Sequence, residues 1–166
     1  IKESANSNNA MVVLKIGIIL FFIAVGLTLL KPDNWTNPAT GGFAPNGLSG
    51  IGAGAAIIFF SYIGFDAVST AAEESKDPGK DMPFGIIMSL AICTVLYIAL
   101  SAVMTGIAPW QTLGTAEPMI TALTFADGPP RLLNASRFII SLGAVIAMFS
   151  VLLVFQLGQP RIFMSM

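Results

Sequence analysis

Four apolar stretches of membrane-crossing length decide what this chain can fold into. They cover residues 11–30, 50–72, 84–108 and 138–157, and the only charges inside them are Lys15 in the first and Asp66 in the second. A helix needs about 20 apolar residues to cross about 30 Å of hydrocarbon, and each stretch provides them. The stretches are apolar all round and lack the strict alternation of a transmembrane barrel. A helix also pairs its own backbone groups in lipid, which an open sheet cannot do. The expected fold class is therefore an all-α membrane protein with four transmembrane helices in a lipid bilayer.

Composition narrows the chemistry. Hydrophobic residues make up 55% of the chain and charged residues 10%, with a mean hydropathy of +0.81, whereas soluble domains carry roughly 25% charge. The net charge of −1 offers no basic patch for nucleic acid. There is no His, and the single Cys93 lies in an apolar run, so neither a disulfide framework nor a Cys/His metal site is expected. No cofactor is expected either. An intramembrane enzyme has little to work with: there are no paired carboxylates within the spans and no Gly-x-Ser-x-Gly elbow. The polar opening IKESANSNNA and the closing GQPRIFMSM read as cut ends of a longer protein.

The connections differ in character. Residues 31–49 hold three prolines and three glycines among asparagines, the mark of an irregular loop. Residues 73–83, EESKDPGKDMP, form a short charged link in which Asp77-Pro78-Gly79 signals a turn. This link is either a solvated turn or a gate network of opposite charges. Within the longer link 109–136, Glu117 to Phe125 has room for a short interfacial helix. Asn134 or Ser136 can cap the fourth span. With both ends cytoplasmic, Lys2, Lys76, Lys80 and Arg161 lie inside, and Lys31, Arg131 and Arg137 lie outside. The positive-inside rule favours this arrangement by a narrow margin.

Few residues in the spans can carry chemistry. Lys15 either snorkels to the interface or turns its amine into the bundle, where it could gain and lose a proton. The second span reads GLSGIGAGAAIIFFSYIGFDAVST, with Gly50 and Gly54 spaced for close helix packing. Gly64 then precedes Asp66 by two residues, deep in the span. Either the helix runs on through Gly64, or it breaks there. A break frees peptide groups that bind a solute's charges, and such backbone is tolerated only against protein or a wet cavity. In the fourth span Ser150 either bonds back to its own helix or meets a residue such as Lys15.

At FFSYIGFDAVSTAAEESKDPGKDMPFGII the chain resembles the amino acid–polyamine–organocation superfamily, and more closely its cationic amino acid transporter family and bacterial homologues. ESANSNNAMVVLKIGIILFFIAVG and SVLLVFQLGQPRIFMSM agree, in that order, so the resemblance covers essentially the whole chain. It implies a transporter fold of two inverted five-helix repeats, of which this piece is helices five to eight, the second one discontinuous. It further implies that Phe60, Ser61 and Ile63 present backbone carbonyls to a substrate amine. Phe60 would be an aromatic gate, Gly64 the break, and Asp66 an acidic group near the pocket. Lys15 matches the lysine that stands where sodium-coupled relatives hold their ion, which implies proton coupling with Ser150 as a partner.

The function so implied is secondary active amino-acid transport by alternating access in a cell membrane, with the proton as coupling ion. Helices one, three and ten of that fold are missing, so the fragment holds half a binding site and is expected not to transport alone. The competing expectation is a small four-helix membrane scaffold, which the glycine spacing and scarce buried charge also suit.

Overall fold

The structure is a computed structural model, and it describes residues 2–36, 42, 44–62, 64 and 77–165. Among the described residues every regular element is helical. In chain order these are α1 (Lys2–Thr28), α2 (Asp33–Thr36), α3 (Gly47–Phe59), α4 (Pro78–Ile107), α5 (Pro118–Thr124) and α6 (Pro130–Ser165). Tight 3₁₀ turns cover Phe60–Tyr62 and Trp110–Thr112. The chain is thus an all-α membrane fragment. Among the described residues, three spans are long and apolar enough to cross a bilayer: Asn9–Thr28, Gly79–Ile107 and Pro130–Leu153.

Helix ends follow local chemistry that the sequence reading placed differently. Pro78 opens α4 instead of making a turn. Its missing N–H is harmless in the first turn, and the Asp77 carbonyl accepts from the backbone N–H of Lys80 and Asp81 at 3.1 and 2.9 Å. α6 begins at Pro130 for the same reason, so Asn134 and Ser136 lie inside that helix and do not cap it. Ser136 is fully buried. α5 starts at Pro118, and its C-terminal carbonyl at Leu123 accepts a 2.8 Å hydrogen bond from the Arg137 guanidinium. A cation at a helix C-terminus meets the negative end of the peptide dipoles.

The described helices divide into two compact units. The first comprises Ile1–Phe43 and Ile98–Leu152. Its core joins Phe22 of α1 and Leu29 just after it to Val103 and Ile107 of α4, Leu123 of α5 and Ile140 of α6. Close approach is what makes this packing work in a membrane, where small residues stand in for the hydrophobic drive. A Cβ added at Gly26 would lie 2.2 Å from Val103, and one at Gly143 would lie 2.3 Å from Ile18. Polar ties close one end of the unit. Asn34 donates to the Gly106 carbonyl at 2.8 Å, Trp35 Nε1 donates to Thr105 Oγ1 at 3.1 Å, and Lys31 pairs with Asp127.

The second unit comprises Ala44–Tyr97 and Leu153–Met166. Within it α3 has no buried residue. Its 13 residues rise about 20 Å, less than the roughly 30 Å of hydrocarbon. α3 therefore stops short of a crossing, where α1, α4 and α6 do not.

Candidate functional site

The end of α3 gathers most of the described residues that the resemblance singles out. After Phe59 the helix tightens: the Phe60 N–H is shared between the carbonyls of Ile57 and Ile58. Phe60, Ser61 and Tyr62 form the 3₁₀ turn, and Gly64 follows in a turn at φ +124°. That dihedral lies where a Cβ is strained and glycine is not, so Gly64, beyond the end of α3, does not have helical backbone. Phe60 and Ser61 are exposed, and Tyr62 is half-buried. The Phe60 ring meets Phe59 edge-on, with centroids 6.2 Å apart. Ile63 and Asp66 lie outside the described residues.

A helix that stops leaves its last carbonyls without intrahelical donors, and in lipid such groups need partners. Within the second unit, α4 supplies one. Tyr97 donates its hydroxyl to the Ser61 carbonyl at 3.3 Å. Next to it the Tyr62 hydroxyl lies 3.1 Å from Thr94 Oγ1. Thr94 already gives its only proton to the Leu90 carbonyl at 2.8 Å, so Tyr62 is the donor of that pair. The rings of Tyr62 and Tyr97 pack edge to face, 5.3 Å apart at 77°. One helical face of α4 carries all of this, since Ile86, Leu90, Thr94 and Tyr97 recur at three- and four-residue spacing. Ile86 and Leu90 also line an apolar cavity of about 360 Å³ with Phe59 and Tyr62. Thr94 and Tyr97 escaped the sequence reading. Their signal was two hydroxyls one turn apart in a span that carries no charge.

Lys15 and Ser150 belong to the first unit. Lys15 is half-buried on α1, and Ser150 is 1% exposed on α6. Ile18 on α1 meets Gly143 on α6, and farther along Leu29 lies against Gly128, ahead of α6, so the two helices run antiparallel. From the Ile18–Gly143 contact, Lys15 is one turn and Ser150 two turns toward the same end. Those spacings keep both on the faces that meet. The axial offset is about 6 Å at 1.5 Å per residue.

Of the charged link 73–83, the described part shows a 3.8 Å pair between Lys80 and Asp77, both well exposed. Among the described residues no group of His, Cys, Asp or Glu could hold a metal ion.

An amino acid permease family model matches residues 1–164. The chain belongs to that family. It is 46% identical over 166 residues to the methylthioribose transporter of Bacillus subtilis, and 47% identical over 167 residues to the branched-chain amino acid permease BcaP of the same organism. It is 40% identical over 167 residues to the vacuolar cationic amino acid transporter 4 of Arabidopsis thaliana. Each alignment takes in 100% of this chain but only 34%, 34% and 27% of the relative, respectively. The chain thus spans about a third of the length of these relatives. They are transporters and a permease by name, and this chain, like a multi-pass membrane protein, holds several helices of membrane-crossing length.

Proposed function

We propose that this chain is part of a secondary active amino-acid transporter that works by alternating access and is driven by protons. The observation that carries the reading is the end of α3, where an apolar helix too short to cross gives way to a 3₁₀ turn and then to Gly64 at φ +124°. In a permease, peptide groups released at such a point are suited to hold the two charges of an amino acid. The Phe60, Ser61 and Ile63 carbonyls would take the ammonium group. The Phe60 ring would close over the solute, and Asp66 would stand nearby. Lys15 would gain and lose the coupling proton, with Ser150 on the facing surface of α6 as its partner. The antiparallel register of α1 and α6 supports that pairing. The missing two-thirds of the permease would supply the rest of the site. Both ends of the chain would be cytoplasmic in a cell membrane. Membership of a permease family favours this over a scaffold.

The test uses the full-length parent in proteoliposomes with an imposed inward proton gradient. Radiolabelled leucine or arginine should accumulate above equilibrium, and a protonophore should abolish the accumulation. Lys15→Ala should remove the dependence on the gradient while leaving equilibrative exchange. Gradient-driven accumulation that persists in that variant excludes Lys15 from the coupling. A second reading comes from the methylthioribose transporter among the relatives: a neutral sugar thioether without an ammonium group. Uptake of labelled methylthioribose in place of either amino acid would select it.

A further inference from the structure

We propose that Tyr97 is a positioning residue for the solute, acting through the Ser61 peptide group. This rests on reading the end of α3 as the substrate site. Ser61 is exposed, and its carbonyl belongs to the last turn before Gly64. Ser61 lies in the 3₁₀ turn beyond α3, which ends at Phe59. The Tyr97 hydroxyl donates to that carbonyl from α4, at 3.3 Å. That distance is longer than a relaxed hydroxyl–carbonyl bond. The carbonyl is therefore held in direction by a long bond, and a carbonyl oxygen has a second lone pair that an ammonium donor can use.

The neighbouring residues make this arrangement specific. Tyr97 has one proton to give, and it goes to the Ser61 carbonyl. Tyr62, the next residue after Ser61, spends its own proton on Thr94, whose proton is committed to Leu90. The edge-to-face contact of Tyr62 with Tyr97 sets the height of the Tyr97 ring against the turn. Two ties one turn apart on α4 thus hold the Ser61 carbonyl and the Tyr62 side chain. A carbonyl fixed before the solute arrives need not be ordered by it, and preorganisation of that kind appears in affinity.

The experiment measures uptake by the full-length parent in proteoliposomes with labelled leucine, arginine and methylthioribose, and compares Tyr97→Phe with wild type. Tyr97→Phe keeps the ring contact and removes only the hydroxyl. KM for the amino acid that the wild type takes up should rise about fivefold, the size of one net hydrogen bond, with maximal rate within about twofold. Inhibition by 4-methylpentanoate, which is leucine without its amine, should be unchanged in the same variant. A purely structural role would weaken both ligands alike, and that result overturns the proposal. So does an unchanged KM, or a lower one, which would make Tyr97 a competitor of the amine. If Tyr97→Phe does not insert, Thr94→Val carries the test through the neighbouring tie: a KM about two- to threefold higher supports the proposal and an unchanged KM overturns it. Wild type that takes up methylthioribose but neither amino acid overturns both this proposal and the reading beneath it. Amino-acid uptake that is normal in Tyr97→Phe overturns this proposal alone.

Discussion

In the first unit the helices touch at glycines, whereas in the second a glycine sits where a helix stops. Gly26 has an ordinary helical backbone and no room: a Cβ there would come within 2.2 Å of Val103 and 3.0 Å of Ile107. Gly64 has no ordinary backbone: among the described residues nothing lies within 4 Å of an added Cβ, but φ is +124°. The residue type is the same and the physical demands are opposite. α1, the C-terminal part of α4 and α6 bury a shared core, which close contact stabilises. α3 has no buried residue of its own, and what distinguishes its end is a backbone conformation. Among the described residues the buried core lies in the first region, and the means of holding a solute is proposed for the second.

The strongest challenge to this contrast is Gly26→Leu in the full-length parent. Val103 is β-branched and cannot swing away freely, so overpacking should cost about 3 kcal/mol, the upper end for such changes. The expected result is a lower Tm in detergent and less folded protein in the membrane. Gly17, in the same helix, has nothing within 4 Å of an added Cβ. If Gly17→Leu lowers Tm as much, the rest of the permease and not α4 sets the cost.

Gly64→Ala tests the other half. Without a clash, the penalty is the strain of a non-glycine residue at positive φ, about 1–3 kcal/mol. That strain is local to the turn. Uptake should fall several-fold while Tm moves less than in Gly26→Leu. Full uptake by this variant would show that the turn at Gly64 does not need its present backbone to serve transport.

The asymmetry also explains what could be read without a structure. Helical content, the family and the existence of long spans were legible because apolar length is a strong signal. The short helix at Pro118–Thr124 was legible from Pro118 at its start and the Asp127-Gly128-Pro129-Pro130 stop after it. The starts of α4 and α6 were not, because a proline in the first turn of a helix and a proline in a turn look alike in sequence. Gly64 could be suspected, but a glycine alone does not announce its φ. Tyr97 was invisible because its importance comes from facing Ser61, 36 residues away, and spacing along a chain does not encode which helices meet. The packing glycines Gly26 and Gly143 were passed over for Gly50 and Gly54, which have the familiar spacing.

A smaller effect is expected where the first unit is closed by polar contacts. Arg137→Gln removes the guanidinium that caps Leu123 at the end of α5. The loss should be about 1 kcal/mol, the usual net value of one hydrogen bond. α5 is only seven residues long, too short to hold itself together in isolation. Amide hydrogen exchange over residues 118–124 should therefore quicken, with little change in α3. Uniform quickening of both would show that Arg137 supports the whole fold and not one short helix.

The smallest effect belongs to the pair between Lys31 and Asp127, which joins the segment after α1 to the segment after α5. Lys31 keeps 44% of its side chain accessible and Asp127 keeps 82%. Water and salt therefore compete for both charges, and an exposed pair of this kind contributes about 0–1 kcal/mol. The deeper ties of the same end, Asn34 to Gly106 and Trp35 to Thr105, are unaffected by removing one charge. Asp127→Asn should thus lower Tm slightly at low ionic strength and not at all in about 1 M salt, where the Debye length falls to about 3 Å. A large drop at both salt concentrations would mean that Asp127 holds backbone in the full permease. The first unit's stability would then rest on its polar end as well as on its close-packed glycines, and the contrast with α3 would have to be redrawn around that end.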